Sequence, residues 1–387
     1  MGSSQQKRML IVTTVPQTIR AFLLPFATYF RQQGWRIDAM TGNPTSYDDI
    51  YSHFTNVWEV NFSRNPFALN HFTTIPKMIR RLISQEKYDL IHVHSPVAAF
   101  VTRFALRKIK SNKPKIVYTA HGFHFHSGGN LISNFLYILL EKIAGLWTDI
   151  LVVINKEDEI AAHKYNLIPY GKVHYIPGIG IDTKKYSNHA ISNDQVNELR
   201  QELTLQKNDR FFLMIAEFTP QKNHALIIEA FYKLANPTLH LVFAGTGKTQ
   251  PKMKKLVAHY GLEKQIHFLG FRKDIPELIS ASIGVILISQ REGLPRSIME
   301  AMCLGKPVIG TNIRGIKDLV QAGAGIIIPH KTSEELVKAL TFLADNPEQA
   351  TLMGQQGSEQ ISHYHYEKIL QLYNAIYEES LMAIPTL

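Results

Sequence analysis

The stretch Arg291-Glu292-Gly293-Leu294-Pro295-Arg296-Ser297-Ile298-Met299-Glu300-Ala301-Met302-Cys303-Leu304-Gly305 decides how the chain reads. It follows an apolar run, residues 283–289, that has the composition of a buried strand. Gly293 and Pro295 break that strand and open a helix that should end near Gly305. A loop and helix N-terminus at the carboxyl end of a strand is where open α/β sheets bind phosphorylated ligands. Glu292 falls in the loop and Glu300 is expected two turns into the helix. One carboxylate can then reach one end of an extended ligand, and the other a point further along it. The backbone N–H groups in the stretch 293–296, which Pro295 lacks and its neighbours have, lie between them, placed to hold an anion. Two glutamates eight apart are common by themselves. The preceding strand and the intervening Gly-x-Pro favour a binding loop over an ordinary αβ connection with two solvated carboxylates.

Outward from this stretch, strand and helix patterns alternate. Strands are expected at 210–215, 240–245, 266–271, 284–289, 307–310 and 325–328, with helices between them. Three helices close this half, at 333–344, 347–362 and 366–382. Upstream, residues 184–208 are polar and read as a linker with one short helix. The first half alternates in the same way. Its strands are expected at 9–14, 35–41, 57–62, 89–95, 115–119, 150–154 and 173–177, with helices at 19–30, 71–85 and 131–147. A turn is expected at Val15-Pro16-Gln17. Such alternation argues for parallel sheets covered on both faces.

At 387 residues the chain is long for one core, so two domains are expected. The single Cys303 excludes a disulfide framework and fits a reducing compartment. It reads as a packing residue of the helix after Glu300. No apolar run reaches membrane-spanning length, and the first residues lack the apolar stretch of a signal peptide. A cytoplasmic protein is expected, peripheral on the inner face of the cell membrane. The net charge of +10 is uneven. Residues 1–180 carry 20 Lys+Arg against 11 Asp+Glu, and the remainder 22 against 21. A basic half beside a neutral half implies different partners for the two. Nucleic acid and anionic membrane are the usual targets of such asymmetry. No aromatic-basic nucleic-acid motif accompanies the charge, so no nucleic-acid partner is expected.

The Glu-x7-Glu stretch, with its Gly-Leu-Pro and Glu-Ala-Met context, resembles the donor-site motif of retaining family 4 glycosyltransferases of the GT-B fold. The resemblance covers nearly the whole chain. It implies two facing Rossmann-like domains. Residues 7–183 would bind the acceptor and residues 209–363 the nucleotide-sugar donor. The last segment, 364–387, would be a helix packing back on the first domain. It also implies roles. Glu292 binds sugar hydroxyls, Glu300 the nucleotide ribose, and the N–H groups around Gly293, Leu294 and Pro295 the diphosphate.

The family usually reads Gly-Arg-x-x-x-x-Lys after the first strand of the donor domain. Here Ala216-Glu217-Phe218-Thr219-Pro220-Gln221-Lys222 stands in its place. Lys222 matches; Glu217 replaces the arginine, as it does in the bacterial capsule and exopolysaccharide transferases that the chain most resembles. Arg291 is the candidate replacement cation. A lysine at a helix start is locally unfavourable, so position in the motif carries this assignment. Phe243-Ala244-Gly245-Thr246-Gly247-Lys248-Thr249 ends like a P-loop, but Val242 stands where the first P-loop glycine is required. In the resembling family this turn lets the backbone approach the nucleotide, a use that suits Gly245 and Gly247. Arg272 falls where the family contacts the nucleobase.

In the first half, His121 ends a strand, and the family places a histidine here beside the donor sugar. His124 and His126 follow it, alternating with Phe123 and Phe125. No acidic or cysteine partner is near, and there is no Asp-x-Asp, so no metal or other cofactor is expected. The resemblance implies transfer from a nucleotide-diphosphate sugar, a UDP-hexose or UDP-N-acetylhexosamine, to a free or polyprenyl-diphosphate-linked saccharide in cell-surface polysaccharide assembly. That acceptor would require contact with an anionic membrane. Two rivals stand beside this reading. One is a GT-B-shaped nucleotide-sugar epimerase or hydrolase. The other is a non-catalytic nucleotide-binding subunit, for which Glu217 speaks.

Overall fold

The apolar runs of the first half form seven strands. They are β1 (Arg8–Val12), β2 (Arg36–Thr41), β3 (Val57–Glu59), β4 (Leu90–His94), β5 (Lys115–Ala120), β6 (Ile150–Val153) and β7 (Lys172–Tyr175). The computed structural model describes residues 6–382, apart from 64, 66–67, 110, 188–190, 321–322 and 330–331. The seven strands pair in the order β3-β2-β1-β4-β5-β6-β7, every pair parallel. Alternation along β1 explains the layers. Leu10 and Val12 pack on one face with Ile79, Val101 and Leu106. Met9 and Ile11 pack on the other with Phe26, Phe30, Tyr373 and Tyr377. Both faces are covered, so Met9, Leu10, Ile11 and Val12 are all buried and the strand is apolar throughout.

Tyr373 and Tyr377 come from the helix Tyr366–Met382, which belongs to this first unit although the chain between is elsewhere. The helix returns to the first unit, as the family resemblance implied. Its Tyr377 ring lies 5.1 Å from Phe30 and 5.9 Å from Phe26. Each such buried aromatic contributes about 1.5–3 kcal/mol.

The second unit is Ile181–His365. Its strands are β8 (Arg210–Ile215), β9 (Leu239–Ala244), β10 (Ile266–Gly270), β11 (Val285–Leu287), β12 (Val308–Thr311) and β13 (Gly325–Ile328). They form a parallel sheet in the order β10-β9-β8-β11-β12-β13.

Two local expectations need correction. The turn expected at 15–17 is helical from Pro16, a first-turn position where its missing N–H costs nothing. A π turn, Ile19–Leu23, follows and leads into the helix Leu24–Gln32. Pro25 near its start lacks an N–H and crowds the preceding turn, which a wider π turn accommodates. The stretch 184–208 is not a free linker. Tyr186, Leu199 and Leu203 are all buried in the core of the second unit. Its helix, Asn193–Glu202, starts at a capping box made by Ser192 and Gln195.

Candidate active site

Parallel sheets leave a crevice at the strand carboxyl ends where the strand order changes direction. In the second unit that point lies between β8 and β11. The loop after β8 holds Glu217 to Lys222, and the loop after β11 holds Gln290 to Pro295. The two loops are laced together. Gln290 N–H donates to the Gln221 carbonyl at 2.8 Å, and Gln221 Nε2 donates to the Arg291 carbonyl at 2.5 Å. Across them, Lys222 Nζ donates to Glu292 Oε1 at 2.5 Å. Both side chains are largely buried, at 22% and 11% exposure, so this pair is screened far less than a surface ion pair. Lys222 closes a short 3₁₀ turn, and Asn223 in the left-handed region separates it from the helix His224–Leu234. Its charge therefore does not sit in the first helical turn. Glu217 is exposed on the same loop.

The 292–295 loop is buttressed from behind. Arg314 is buried and its Nε donates to the Glu292 carbonyl at 3.2 Å. Gly315, at φ +75°, passes so close that a Cβ there would stand 2.0 Å from the Gly293 carbonyl oxygen. Leu294 packs on the core and Pro295 caps the helix Arg296–Cys303. The first N–H groups of such a helix have no intrahelical acceptor, which suits an anion. Glu300 lies one turn into this helix, not two, because the helix begins only at Arg296. It is 6% exposed. Its Oε1 accepts from Tyr186 OH at 2.6 Å and from Arg296 Nε at 2.9 Å. Burial holds its carboxyl above the usual range, against the opposing pull of Arg296 and Tyr186.

Gly245 and Gly247 form the floor beneath the β8 loop. A Cβ at Gly245 would lie 2.0 Å from the Ala216 carbonyl oxygen, and one at Gly247 2.5 Å from that of Phe218. Phe218 N–H donates to the Thr246 carbonyl at 2.9 Å, and Thr249 N–H to the Phe218 carbonyl at 3.1 Å. These glycines thus let two loops interlock, whatever else they contact. Arg272, after β10, is held apart from this cluster by Glu202 and Asp274. Its Nη2 is 2.9 Å from Glu202 Oε2, and its Nε is 2.8 Å from Asp274 Oδ1.

In the first unit, His121 follows β5. Its Nε2 lies 3.0 Å from His94 Nδ1, and its ring stacks on Phe22 at 6.2 Å between centroids. Burial lowers its pKa to about 4, so it is neutral at pH 7. Behind it, His92 joins Thr119 Oγ1 at 2.7 Å and Tyr377 OH at 2.6 Å. The following turn is fixed by Asp158, whose Oδ2 accepts from Phe123 N–H at 3.1 Å.

Sequence reading therefore names residues that the structure gathers: Lys222, Arg291, Glu292 and Gly293 on two bonded loops, with Glu300 on the adjoining helix. It misses Tyr186, Arg314 and His94. Tyr186 bonds a residue 114 positions away, and no local spacing reveals that. Arg314 sits in the next strand connection, 22 positions from the Glu292 carbonyl that it supports. Among the described residues, no group of three or more His, Cys, Asp or Glu side chains is arranged to hold a metal ion.

Two parallel α/β units, the second with paired acids at its strand-order reversal, define a glycosyltransferase of the GT-B architecture. Comparison with known proteins fixes the family. Residues 21–185 match the Glycosyltransferase Family 4 model, and residues 195–360 match the model for glycosyl transferases group 1. The chain is 31% identical over 354 residues to EpsD of Bacillus subtilis, which carries a glycosyltransferase name, covering 91% of each. It is 32% identical over 272 residues to an Escherichia coli enzyme, UDP-Gal:alpha-D-GlcNAc-diphosphoundecaprenol alpha-1,3-galactosyltransferase, covering 69% of each. In fold it is similar to Anabaena HepE, solved in complex with UDP. The TM-score is 0.79 at 20% identity, covering 97% of this chain and all of that one. The chain belongs to the family 4 glycosyltransferases and is a glycosyltransferase.

Proposed function

We propose that this enzyme moves a sugar, with retention of configuration, from a UDP-sugar to a saccharide carried on a polyprenyl diphosphate. The Lys222–Glu292 pair carries this reading, because it sets a cation and a carboxylate side by side over the crevice of the second unit. Lys222, Arg291 and the N–H groups of the 293–296 turn hold the diphosphate. They offset the charge that grows as it leaves, and preorganised groups of this kind supply much of a transferase's rate. Glu300 accepts from the ribose hydroxyls, and Glu292 from the sugar hydroxyls. Arg272 is assigned to the base, for which it would have to leave Glu202 or Asp274. Neutral His121 is assigned to the sugar and acceptor side.

The C1–O bond to the β-phosphate breaks and a C1–O bond to the acceptor hydroxyl forms on the same face. The acceptor proton passes to the leaving phosphate oxygen, so no protein nucleophile is required. Lys222 and Arg291 take the electrostatic role a metal plays elsewhere, and turnover should persist in chelator. The UDP-sugar and lipid-linked acceptor classes are those in the name of the Escherichia coli relative.

A donor screen scored by UDP release tests the proposal. UDP release that depends on added lipid-linked acceptor, with the anomeric configuration kept in the product, is the expected result. Release without any acceptor would point to a hydrolase or epimerase. Absence of UDP binding in calorimetry would point to a non-catalytic subunit.

A further inference from the structure

The helix Leu131–Gly145 is built inside out. A surface helix normally turns its apolar stripe inward and its polar face to water. Here Leu131 is 84% exposed, Ile132 73%, Phe135 65% and Leu136 51%. The helix is well made: Asn130 caps it, its side chain accepting from the N–H groups of Ile132 and Ser133. Ile138 packs on the core, and polar and small residues hold the rest of the helix to the unit. Glu141 bonds the buried Arg103 at 3.1 Å and the Tyr118 hydroxyl at 3.2 Å. Asn134 Nδ2 donates to the His126 carbonyl at 2.9 Å. Gly145 lies so close to Leu167 that a Cβ would stand 1.7 Å from its carbonyl oxygen. The fold thus fixes this helix with its greasy flank facing outward.

The flank continues beyond the helix. Leu146 is exposed, and Trp147 meets Phe104 at 6.0 Å between centroids. Phe104 meets the exposed Phe72 at 5.7 Å, and the Arg107 guanidinium lies 3.5 Å from the Phe104 ring centre. One apolar band therefore joins two helices and the turn at Phe72, far beyond the single scattered hydrophobes of an ordinary surface. The exposed charge beside it is mainly positive, since Glu141 on the helix is drawn in against Arg103. No Asp or Glu occurs from residue 60 to 85 or from 90 to 140. Lys108 and Lys142 are exposed at the ends of these helices, and Lys77 and Arg81 on the helix Thr74–Glu86 that follows Phe72.

We propose that this band is a docking surface for an anionic lipid bilayer. The helix Leu131–Gly145 lies in the plane of the interface and the basic residues around it meet the headgroups. An apolar face with exposed cations beside it is the pattern that interfacial helices show. No helix among the described residues is long and apolar enough to cross a membrane, so the contact is made by lying on it. The inference extends the proposed lipid-linked acceptor by giving the surface that meets its membrane, but it is tested without substrate and can fail separately.

The test is co-sedimentation of the full chain with vesicles of phosphatidylglycerol and phosphatidylcholine, and with phosphatidylcholine alone, at low and raised salt. Binding to the anionic vesicles that weakens with salt is expected. The double variant Phe135→Ser, Leu139→Ser should lower that partition about tenfold or more. Leu352→Ser, exposed in the other unit, should not. Unchanged melting and UDP-binding heat in the double variant would show that its fold is intact. The proposal is overturned if wild type ignores anionic vesicles, or if the double variant sediments as wild type does. It is equally overturned if light scattering shows a dimer that the double variant splits while vesicles bind neither.

Discussion

Tyr186 holds Glu300 from outside the helix that carries it, its hydroxyl 2.6 Å from Oε1 and both residues buried. Arg296, one turn earlier, reaches the same oxygen at 2.9 Å. Two donors thus fix the carboxylate proposed to read the ribose. Tyr186→Phe removes one donor and leaves the ring packing intact. UDP should bind about tenfold more weakly, the loss expected for one hydrogen bond to a charged group, with kcat much less changed. Calorimetry and steady-state kinetics measure this, and unaltered affinity would deny Tyr186 a positioning role.

Glu292→Gln keeps the shape of the loop but loses the ion pair with Lys222. If Glu292 orients the transferring sugar, kcat should fall on the order of 100-fold while UDP affinity changes little. Wild-type turnover in this variant would remove the carboxylate from the mechanism.

Gly247→Ala places a methyl group 2.5 Å from the Phe218 carbonyl oxygen, in backbone rather than flexible side chain. The interlocked loops must part. Urea unfolding should show a loss of about 1–3 kcal/mol, accompanied by weaker UDP binding. A stable variant with normal affinity would mean that the loops separate at no cost.

Acid should destabilise the protein before its carboxylates titrate. Burial lowers His121 and His224 to about 4, with Lys222 adding to the effect at His224. His92 and His94 are depressed too, by burial and neighbouring histidines. Unfolded histidine titrates near about 6.5. Between those values the unfolded chain binds protons that the folded chain refuses, so stability rises with pH across the window and is lost as pH falls. His224 stacks on Phe218 at 4.1 Å, and neither ring nitrogen has a hydrogen-bond partner among the described residues. His224→Phe should therefore hold or gain stability at pH 7 and flatten the fall toward pH 5. Urea midpoints at the two pH values decide it; an equal fall in both proteins would contradict the assignment.

The sheets were legible because parallel strands buried on both faces must be apolar end to end. Runs such as Met9-Leu10-Ile11-Val12 and Phe211-Phe212-Leu213-Met214 therefore stand out from the helices around them. Helix starts were less legible. Pro295 carries the cap, but sequence alone placed the helix early enough to put Glu300 a turn too deep. What escaped entirely were contacts between distant segments. Residues 184–208 look polar on average, yet Leu199 and Leu203, four apart on one helix face, commit them to a core. The buried Arg103 is likewise held by a distant partner, Glu141, 38 positions on.

The first unit is not a continuous length of chain. Its sheet lies under Tyr373 and Tyr377, and the whole of Ile181–His365 must leave the ribosome before those residues exist. During synthesis the second unit can finish folding while Phe26 and Phe30 still wait for the aromatic side chains that cover them. A chain released early would keep that slot open to chaperones, proteases and other nascent chains. The first unit can seal its core only once translation has passed Tyr377.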